Sequence, residues 1–270
     1  MAYGLTKSAD LEAGSSQSLS RADNSLLDPT DAMTLEGWFN FETTPSATDY
    51  ALVAKSDNSG GVNERQYFFR HSDNGGTLQL QLLITAVGSS YTDNAQVNWT
   101  PTTGVWYHVA VTYAGGATLE VKFYVNGVQQ GATQTVLTTS IRDGAAAFAI
   151  GASGIGGSGP SAYFDGKVSL VRIWKETRTV TQINDNKCNV LGSTTNLSGE
   201  WTLDDTVNDN SGNSLTLTNN NSVPFVTDVP STCATTGPAN LKSLDTNVKA
   251  NIKSYNTNVL ANIKSINTNA

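Results

Sequence analysis

The chain has 270 residues, with 16 Lys and Arg against 23 Asp and Glu, so its formal net charge is −7. Charged residues make up only 14% of it, against about 25% in typical domains. An acidic chain is poorly suited to non-specific nucleic-acid binding, which depends on neutralising phosphates. The sequence also contains no apolar run of about 20 residues, the length of a membrane span. We therefore expect neither nucleic acid nor a membrane as a partner.

Strand patterns dominate the first half of the chain. Residues 34–41 are rich in aromatic side chains, and residues 66–71 run into an Asn- and Gly-rich turn. Residues 77–82 follow with strict alternation of Leu and polar side chains. This pair of segments predicts a β-hairpin whose Leu side chains are buried and whose Gln79 and Gln81 are not.

The second half continues in the same way. Asn126-Gly127 is the strongest short hairpin signal in the sequence. Residues 181–187 are predicted to form one or two helical turns. Further strands are predicted at residues 107–113, 119–125, 147–151, 162–174 and 199–203. Many short strands with almost no helical period predict an all-β fold, a two-sheet antiparallel jelly-roll sandwich over residues 1–234.

The composition changes at residues 235–238, and an 11-residue repeat then runs to the end of the chain. Apolar residues recur there at gaps of three and four, which indicates a helical stripe. An 11-residue period predicts a straight or slightly right-handed coiled coil. Because each repeat contains Asn and Thr, which are poor helix formers, we expect this tail to need a partner, either another copy or another protein. A disordered linker and a stacked β-repeat are the alternatives. The stripe consists of Leu241, Leu244, Val248, Ile252, Tyr255, Val259, Ile263 and Ile266.

The two cysteines, Cys188 and Cys233, lie 45 residues apart. They are a candidate disulfide in an oxidising compartment, and two unpaired thiols are the alternative. Two cysteines and two histidines do not form a metal-binding spacing.

Several blocks of the sequence resemble laminin-G-like, concanavalin-A-like jelly rolls. The clearest are GVWYHVAVTY at residues 104–113 and FYVNG at residues 123–127. Further similar blocks lie at residues 33–42, 164–174, 201–205 and 209–213. This resemblance covers roughly residues 10–230. It implies two antiparallel sheets packed face to face, in a module that binds glycans or proteins, often with a calcium ion. Ser169 stands where the family usually has an acidic residue.

The same family includes glucanases, so a hydrolase is one hypothesis. A retaining glucanase needs two carboxylates about 5–5.5 Å apart, which on one strand face means a spacing of four residues. Neither a pair of glutamates at this spacing nor a Glu-x-Asp-x-x-Glu run is present, and Glu36 and Glu42 are too far apart in sequence. We therefore expect no catalytic residues and no enzyme activity.

A sugar-binding site combines an apolar floor with a few placed polar groups. Trp99 lies next to a turn and is the best candidate for an exposed tryptophan, with a place in the core as the alternative. If the strands that carry them adjoin, polar side chains would form one face with an aromatic residue. A simple solvated sheet face is the alternative. The candidates for ligand binding are Trp99, Arg70, His71, Gln79, Gln81, Lys122 and Tyr124.

A structural calcium ion is a further expectation. Asp209, Ser211 and Asn213 supply oxygen atoms within one compact loop, and calcium prefers such ligands. An Asx turn without a metal is the alternative reading of this loop.

We therefore predict a non-catalytic recognition or coat module that is displayed in many copies through its tail. The first residues do not resemble a signal peptide. This pattern resembles phage virion appendages or decoration proteins, placed on the virion surface and partnered by further copies, by other virion proteins or by cell-surface glycans. A bacterial adhesin or secreted lectin exported by a non-classical route is the second hypothesis, and the glucanase is the third.

Overall fold

The structure is a computed structural model that describes residues 4–57, 64–155 and 159–233. The predicted assembly stripe, from Leu241 to Ile266, lies outside these residues, so its helical form stays a prediction. Within the described residues, no helix is both long enough and apolar enough to cross a membrane.

The described part of the chain is built from short strands and one α-helix. The first eight strands are β1 (Ser8–Leu11), β2 (Ser18–Arg21), β3 (Ala32–Phe41), β4 (Asp49–Lys55), β5 (Tyr67–Asn74), β6 (Thr77–Ile84), β7 (Asp93–Asn98) and β8 (Trp106–Ala114). They are followed by β9 (Glu120–Val125), β10 (Val128–Thr135), β11 (Phe148–Ile150), β12 (Gly166–Trp174), α1 (Val180–Asn186), β13 (Leu197–Trp201), β14 (Thr218–Asn220) and β15 (Phe225–Val226).

These strands form two antiparallel sheets, which confirms the predicted two-sheet sandwich. The eight-stranded sheet has the order β10-β9-β8-β3-β12-β1-β15, and β13 pairs with β12 beside this path. The seven-stranded sheet has the order β14-β2-β11-β4-β5-β6-β7. Many strands that are neighbours in a sheet are distant in sequence. For example, β3 lies between β8 and β12. The chain therefore crosses repeatedly from one sheet to the other, as in a jelly roll.

The main core lies between the sheets and follows the alternation of each strand. Tyr67 and Phe69 of β5 join this core together with Leu80 and Leu82 of β6. Phe68, between the two core residues of β5, belongs to a separate apolar cluster on the outward face of the same sheet. The predicted β5–β6 hairpin is therefore confirmed on its Leu side.

The Asn-Gly hairpin and the short helix are also present, and they contact each other. Asn126 and Gly127 have φ values of +51° and +77°, the left-handed conformation that a two-residue hairpin turn requires. A Cβ atom on Gly127 would lie 1.8 Å from Oδ1 of Asn184 in α1. Thr179 and Gln182 form a capping box at the start of α1, in which the side chain of each accepts a hydrogen bond from the backbone N–H of the other. This capping box fixes where the helix begins.

α1 and the chain that follows it, to residue 192, cover the outward face of the eight-stranded sheet. We call residues 180–192 the cover segment. Beneath it, the fully buried Arg172 donates from Nε to Glu200 at 2.8 Å and from Nη1 to Glu36 at 3.2 Å. Arg172 Nη2 also donates to backbone carbonyls of the cover segment. These three charged side chains form the buried ion network.

The structure joins Cys188 and Cys233 in a disulfide. The bridge packs with Trp38 and Leu170 on the outward face of the eight-stranded sheet. It links the cover segment covalently to Cys233, the last described residue of the sandwich. The bond therefore holds the cover segment against the sheet.

Candidate functional site

The predicted ligand-binding residues are divided between the two sheets. Arg70, Gln79 and Gln81 lie on β5 and β6 of the seven-stranded sheet, whereas Lys122 and Tyr124 lie on β9 of the eight-stranded sheet. Because β9 pairs only with β8 and β10 in its sheet, the strands do not adjoin and the predicted single polar face does not form. Hairpin pairing is local in sequence, but the sheet to which each hairpin belongs is decided by tertiary contacts.

His71 and Trp99 face the interior at one end of the sandwich. His71 is fully buried, and its Nε2 lies 3.1 Å from the backbone oxygen of Trp99. Burial lowers the pKa of His71 to about 4. The indole of Trp99 is half-buried and forms edge contacts with Phe41, His71 and Tyr107. His71 alternates with Arg70 and therefore takes the opposite face of β5, away from the other candidates.

Four amide side chains form a row across the outward face of β6 and β7. Gln81 lies opposite Gln96, and Gln79 lies opposite Asn98. Gln79 Nε2 donates to Asn98 at 2.9 Å, and Gln81 Nε2 donates to Gln79 at 2.9 Å. We call Gln79, Gln81, Gln96 and Asn98 the amide row.

The amide row corrects one expectation about exposure. Gln79 and Gln81 are only 7% and 2% exposed, although they lie on the outward face. Their neighbours Gln96 and Asn98 are half-buried and exposed, so these two amides present the row to a ligand. Each inner amide is held by another polar group, which removes the cost of burying it.

A cavity of about 280 Å³ lies at one end of this face, and we call it the arginine cavity. Its apolar surface comes from Phe68, Leu83 and Tyr91, and its two charged groups are Arg65 and Arg70. Hydroxyl groups of three serines complete it, from Ser56, Ser153 and Ser161. Polar groups make up more of its lining than apolar ones, and small-ligand sites combine both kinds.

Arg70 connects the arginine cavity to the amide row. Its Nε donates to Gln81 Oε1 at 2.8 Å, and its Nη1 donates to Asp49 at 2.6 Å. The guanidinium also lies 5.2 Å from the ring centre of Phe68, a cation–π distance. Burial lowers the pKa of Arg70 from its usual value, but an arginine stays charged at neutral pH.

Sequence reasoning missed Arg65, Tyr91 and the three serines. All of them lie outside the regular strands, so no alternation pattern assigns them to a face. Tyr91 donates its hydroxyl hydrogen to Ser56, and burial raises its pKa to about 12. Its ring therefore stays neutral and fixed at the edge of the cavity.

The remaining candidates, Lys122 and Tyr124, line a separate cavity of about 350 Å³ beside the start of α1. Its two basic groups already have acidic partners. Lys122 Nζ lies 2.8 Å from Glu120, and Arg178 Nη1 lies 2.7 Å from Glu176. The bond to Glu120 raises the pKa of Lys122. This cavity is therefore close to electrically balanced.

The loop predicted to hold calcium is tied together by its own hydrogen bonds. Asp209 Oδ1 accepts from the backbone nitrogens of Glu200 and Ser211, at 3.1 and 2.8 Å. Its Oδ2 accepts from the Ser211 hydroxyl and from the nitrogen of Leu215. Asn213 turns its amide nitrogen toward the backbone oxygens of residues 197 and 198. A cation would have to displace bonds of this loop, and calcium there stays a prediction.

A group of carboxylates elsewhere offers oxygen atoms at closer spacing. Single carboxylate oxygens of Asp10, Glu12 and Glu42 lie within 4.8 Å of one another. Burial, followed by repulsion from Glu42, raises the pKa of Asp10. Lys167 contacts Glu42 directly, so a protein cation already neutralises part of this group.

The family is established by comparison with known proteins. Residues 13–184 match the family model of laminin-G type described as the concanavalin A-like lectin/glucanases superfamily. The chain belongs to this superfamily. No curated protein matches the chain.

Solved structures of other proteins show the same fold. A protein from Bacteroides ovatus, described as carbohydrate binding, has a TM-score of 0.62 and 22% identity, over 83% of this chain and 60% of that one. A pentraxin from Limulus polyphemus has a TM-score of 0.56 and 16% identity, over 86% of this chain and 98% of that one. A sialyllactose-bound carbohydrate-binding module of a Ruminococcus gnavus sialidase has a TM-score of 0.52 and 11% identity, over 69% of this chain and all of the module.

The chain thus spans about 60% of the length of the Bacteroides ovatus protein. At these identities the likeness shows the shared sandwich, and the chemistry of binding has to be argued from the residues of this chain.

Proposed function

We propose that the chain is a non-catalytic carbohydrate-binding module that holds sugars on the outward face of its seven-stranded sheet. The observation that carries this proposal is the continuity of the amide row with the arginine cavity through the Arg70–Gln81 hydrogen bond of 2.8 Å. Amides and guanidinium groups bind sugar hydroxyls, and the rings of Phe68 and Tyr91 offer apolar surface for sugar C–H groups.

The comparisons favour a sugar over another small ligand. The Bacteroides ovatus protein is described as carbohydrate binding, and the Ruminococcus gnavus module holds sialyllactose. Both share the sandwich with this chain.

The positions of the acidic residues support a non-catalytic role. Glu36 is fully buried, and its Oε1 accepts from Arg172 and from the indole of Trp174. Glu42 pairs with Lys167 instead. These two glutamates therefore have separate structural partners, whereas a glucanase needs two carboxylates that face one substrate.

A glycan array on the full chain tests the binding proposal, followed by titration with each sugar that binds. The double variant Gln96→Ala/Asn98→Ala removes the two accessible amides of the row. We expect roughly thirtyfold weaker binding, since each of the two lost hydrogen bonds contributes on the order of 1 kcal/mol.

The matched control is Gln129→Ala/Gln130→Ala on β10, at the edge of the other sheet. It removes two amides of similar exposure, and we expect no change in affinity. Equal losses in both double variants, or no binding to any sugar, would contradict the proposal.

We further propose that residues 238–270 assemble the module into a multivalent array, on a virion or on a cell surface. Linked copies raise the avidity of weak sugar sites by a factor of about 10²–10⁴. The Cys188–Cys233 disulfide supports a location outside the reducing cytosol.

Light scattering of the full chain and of residues 1–234 tests the assembly, and we expect an oligomeric mass only for the full chain. Mass spectrometry of purified virions and of cell-envelope fractions decides the location.

A further inference from the structure

The arginine cavity is positively charged in a protein whose net charge is −7. Among the described residues, its lining has two charged side chains, and both are arginines. The charge of Arg70 is neutralised by Asp49, whose Oδ2 lies 2.6 Å from Nη1 of Arg70. In the part of the chain that the structure describes, no carboxylate lies within ion-pair distance of Arg65. One positive charge therefore remains at the cavity without an acidic partner.

The hydrogen-bond donors of the two guanidinium groups point to the same conclusion. Arg65 uses Nη1 to donate to the backbone oxygen of Ser89. Arg70 uses Nε for Gln81 and Nη1 for Asp49. Among the described residues, Nε and Nη2 of Arg65 and Nη2 of Arg70 have no acceptor. A guanidinium with free adjacent N–H groups matches a planar carboxylate in two parallel bonds.

The aromatic rings hold these groups in place. Arg65 lies 5.8 Å from the ring centre of Tyr91, and Arg70 lies 5.2 Å from that of Phe68. The cavity volume of about 280 Å³ is just below the roughly 300–1,000 Å³ of ordinary ligand pockets. It suits one sugar unit with its substituent, while the amide row extends away from it to contact the next units.

We propose that the arginine cavity selects acidic glycans and binds the carboxylate of a single sugar unit. Arg65 binds the carboxylate through its free N–H groups, and Arg70 adds its Nη2. The hydroxyls of Ser56 and Ser161 are within the same cavity and bind the hydroxyls of that sugar. This proposal rests on the proposed function, because it names the class of sugar that the same face recognises.

Calorimetric titration of the full chain compares each acidic sugar with its neutral counterpart. The probes are tri-galacturonic acid against its methyl ester, and sialyllactose against lactose. We expect at least one acidic sugar to bind ten times more tightly than its neutral partner. We also expect this preference to fall as sodium chloride is raised from low to high concentration, because the contact is ionic.

The variant Arg65→Gln should abolish the preference, so that the acidic and the neutral sugar of each pair bind with equal affinity. Lys175→Gln is the control, since it removes one positive charge from an exposed residue that follows β12 of the other sheet. Lys175→Gln should change neither the affinity for each sugar nor the preference for the acidic one. Thermal melting of both variants checks that each is folded.

Each result decides between the two proposals. Equal affinity for acidic and neutral sugars, or an Arg65→Gln variant that keeps its preference, overturns the acidic-glycan proposal and leaves the sugar-binding module intact. A sulfated sugar that binds more tightly than its carboxylated counterpart overturns the assignment to a carboxylate. Failure of every sugar to bind overturns both.

Discussion

The outward faces of the two sheets differ in what lies against them. On the eight-stranded sheet, the cover segment and the disulfide enclose Arg172 with two glutamates, and all three side chains are fully buried. Beside the seven-stranded sheet, Arg70 of β5 and Arg65 of the preceding loop reach a cavity and keep N–H groups that have no acceptor among the described residues. The buried ion network is thus structural because a segment covers it, whereas the two arginines at the cavity have no such cover among the described residues.

The largest expected effect concerns the covered face. Arg172→Met leaves Glu36 and Glu200 buried without their cation, which should lower the free energy of unfolding by about 3–5 kcal/mol. Urea denaturation followed by tryptophan fluorescence measures it. Lys122→Met, which breaks an ion pair whose side chains are 33% and 39% exposed, should change stability by less than about 1 kcal/mol. Similar effects of the two variants would remove the distinction between a covered and an exposed ion pair on the eight-stranded sheet.

The disulfide should have the next largest effect. Replacing Cys188 and Cys233 by Ala releases a loop of 45 residues, and we expect a loss of about 2–4 kcal/mol from the greater freedom of the unfolded chain. Chemical denaturation of the oxidised protein and of the double variant measures the difference.

The same double variant sharpens the comparison between the faces. Because the bridge packs on the eight-stranded sheet, sugar affinity at the arginine cavity should stay unchanged at a temperature where the variant is folded. A loss of affinity in that folded variant would show that the two faces are coupled.

A smaller effect should appear on mild acidification. Burial lowers the pKa of both His71 and His108 to about 4, so each histidine is neutral in the folded state and becomes protonated first in the unfolded state. Stability is therefore complete above pH 6.5 and falls as the pH drops toward 4. At pH 5.5 the loss should be about 1.4 kcal/mol for each histidine.

His71→Gln should remove about half of this pH dependence, as measured by denaturation at pH 7 and pH 5.5. The raised pKa of Asp10 acts in the opposite direction, since a carboxyl group with a raised pKa stabilises the fold as the pH falls. Comparison of His71→Gln with the unaltered protein cancels this contribution, because Asp10 is present in both. An unaltered pH dependence in His71→Gln would show that His71 is not the buried neutral group described above.

The sequence alone determined the elements and much of the local structure. Leu80 and Leu82 alternate with glutamines and are buried, and Asn126-Gly127 forms the predicted hairpin turn. The helical turns predicted at residues 181–187 match α1 (Val180–Asn186) to within one residue at each end. Such features depend on neighbours close in the chain, so period and turn chemistry are sufficient to find them.

Only the tertiary structure decided which side chains form the candidate site. Gln81 meets Gln96 and Arg70 across strands, while Lys122 belongs to the other sheet. Arg65 and Tyr91 enter the cavity from loops, where the sequence carries no period. The physical reason is that strand order and the position of loops depend on contacts between distant parts of the chain, and no local pattern records those contacts.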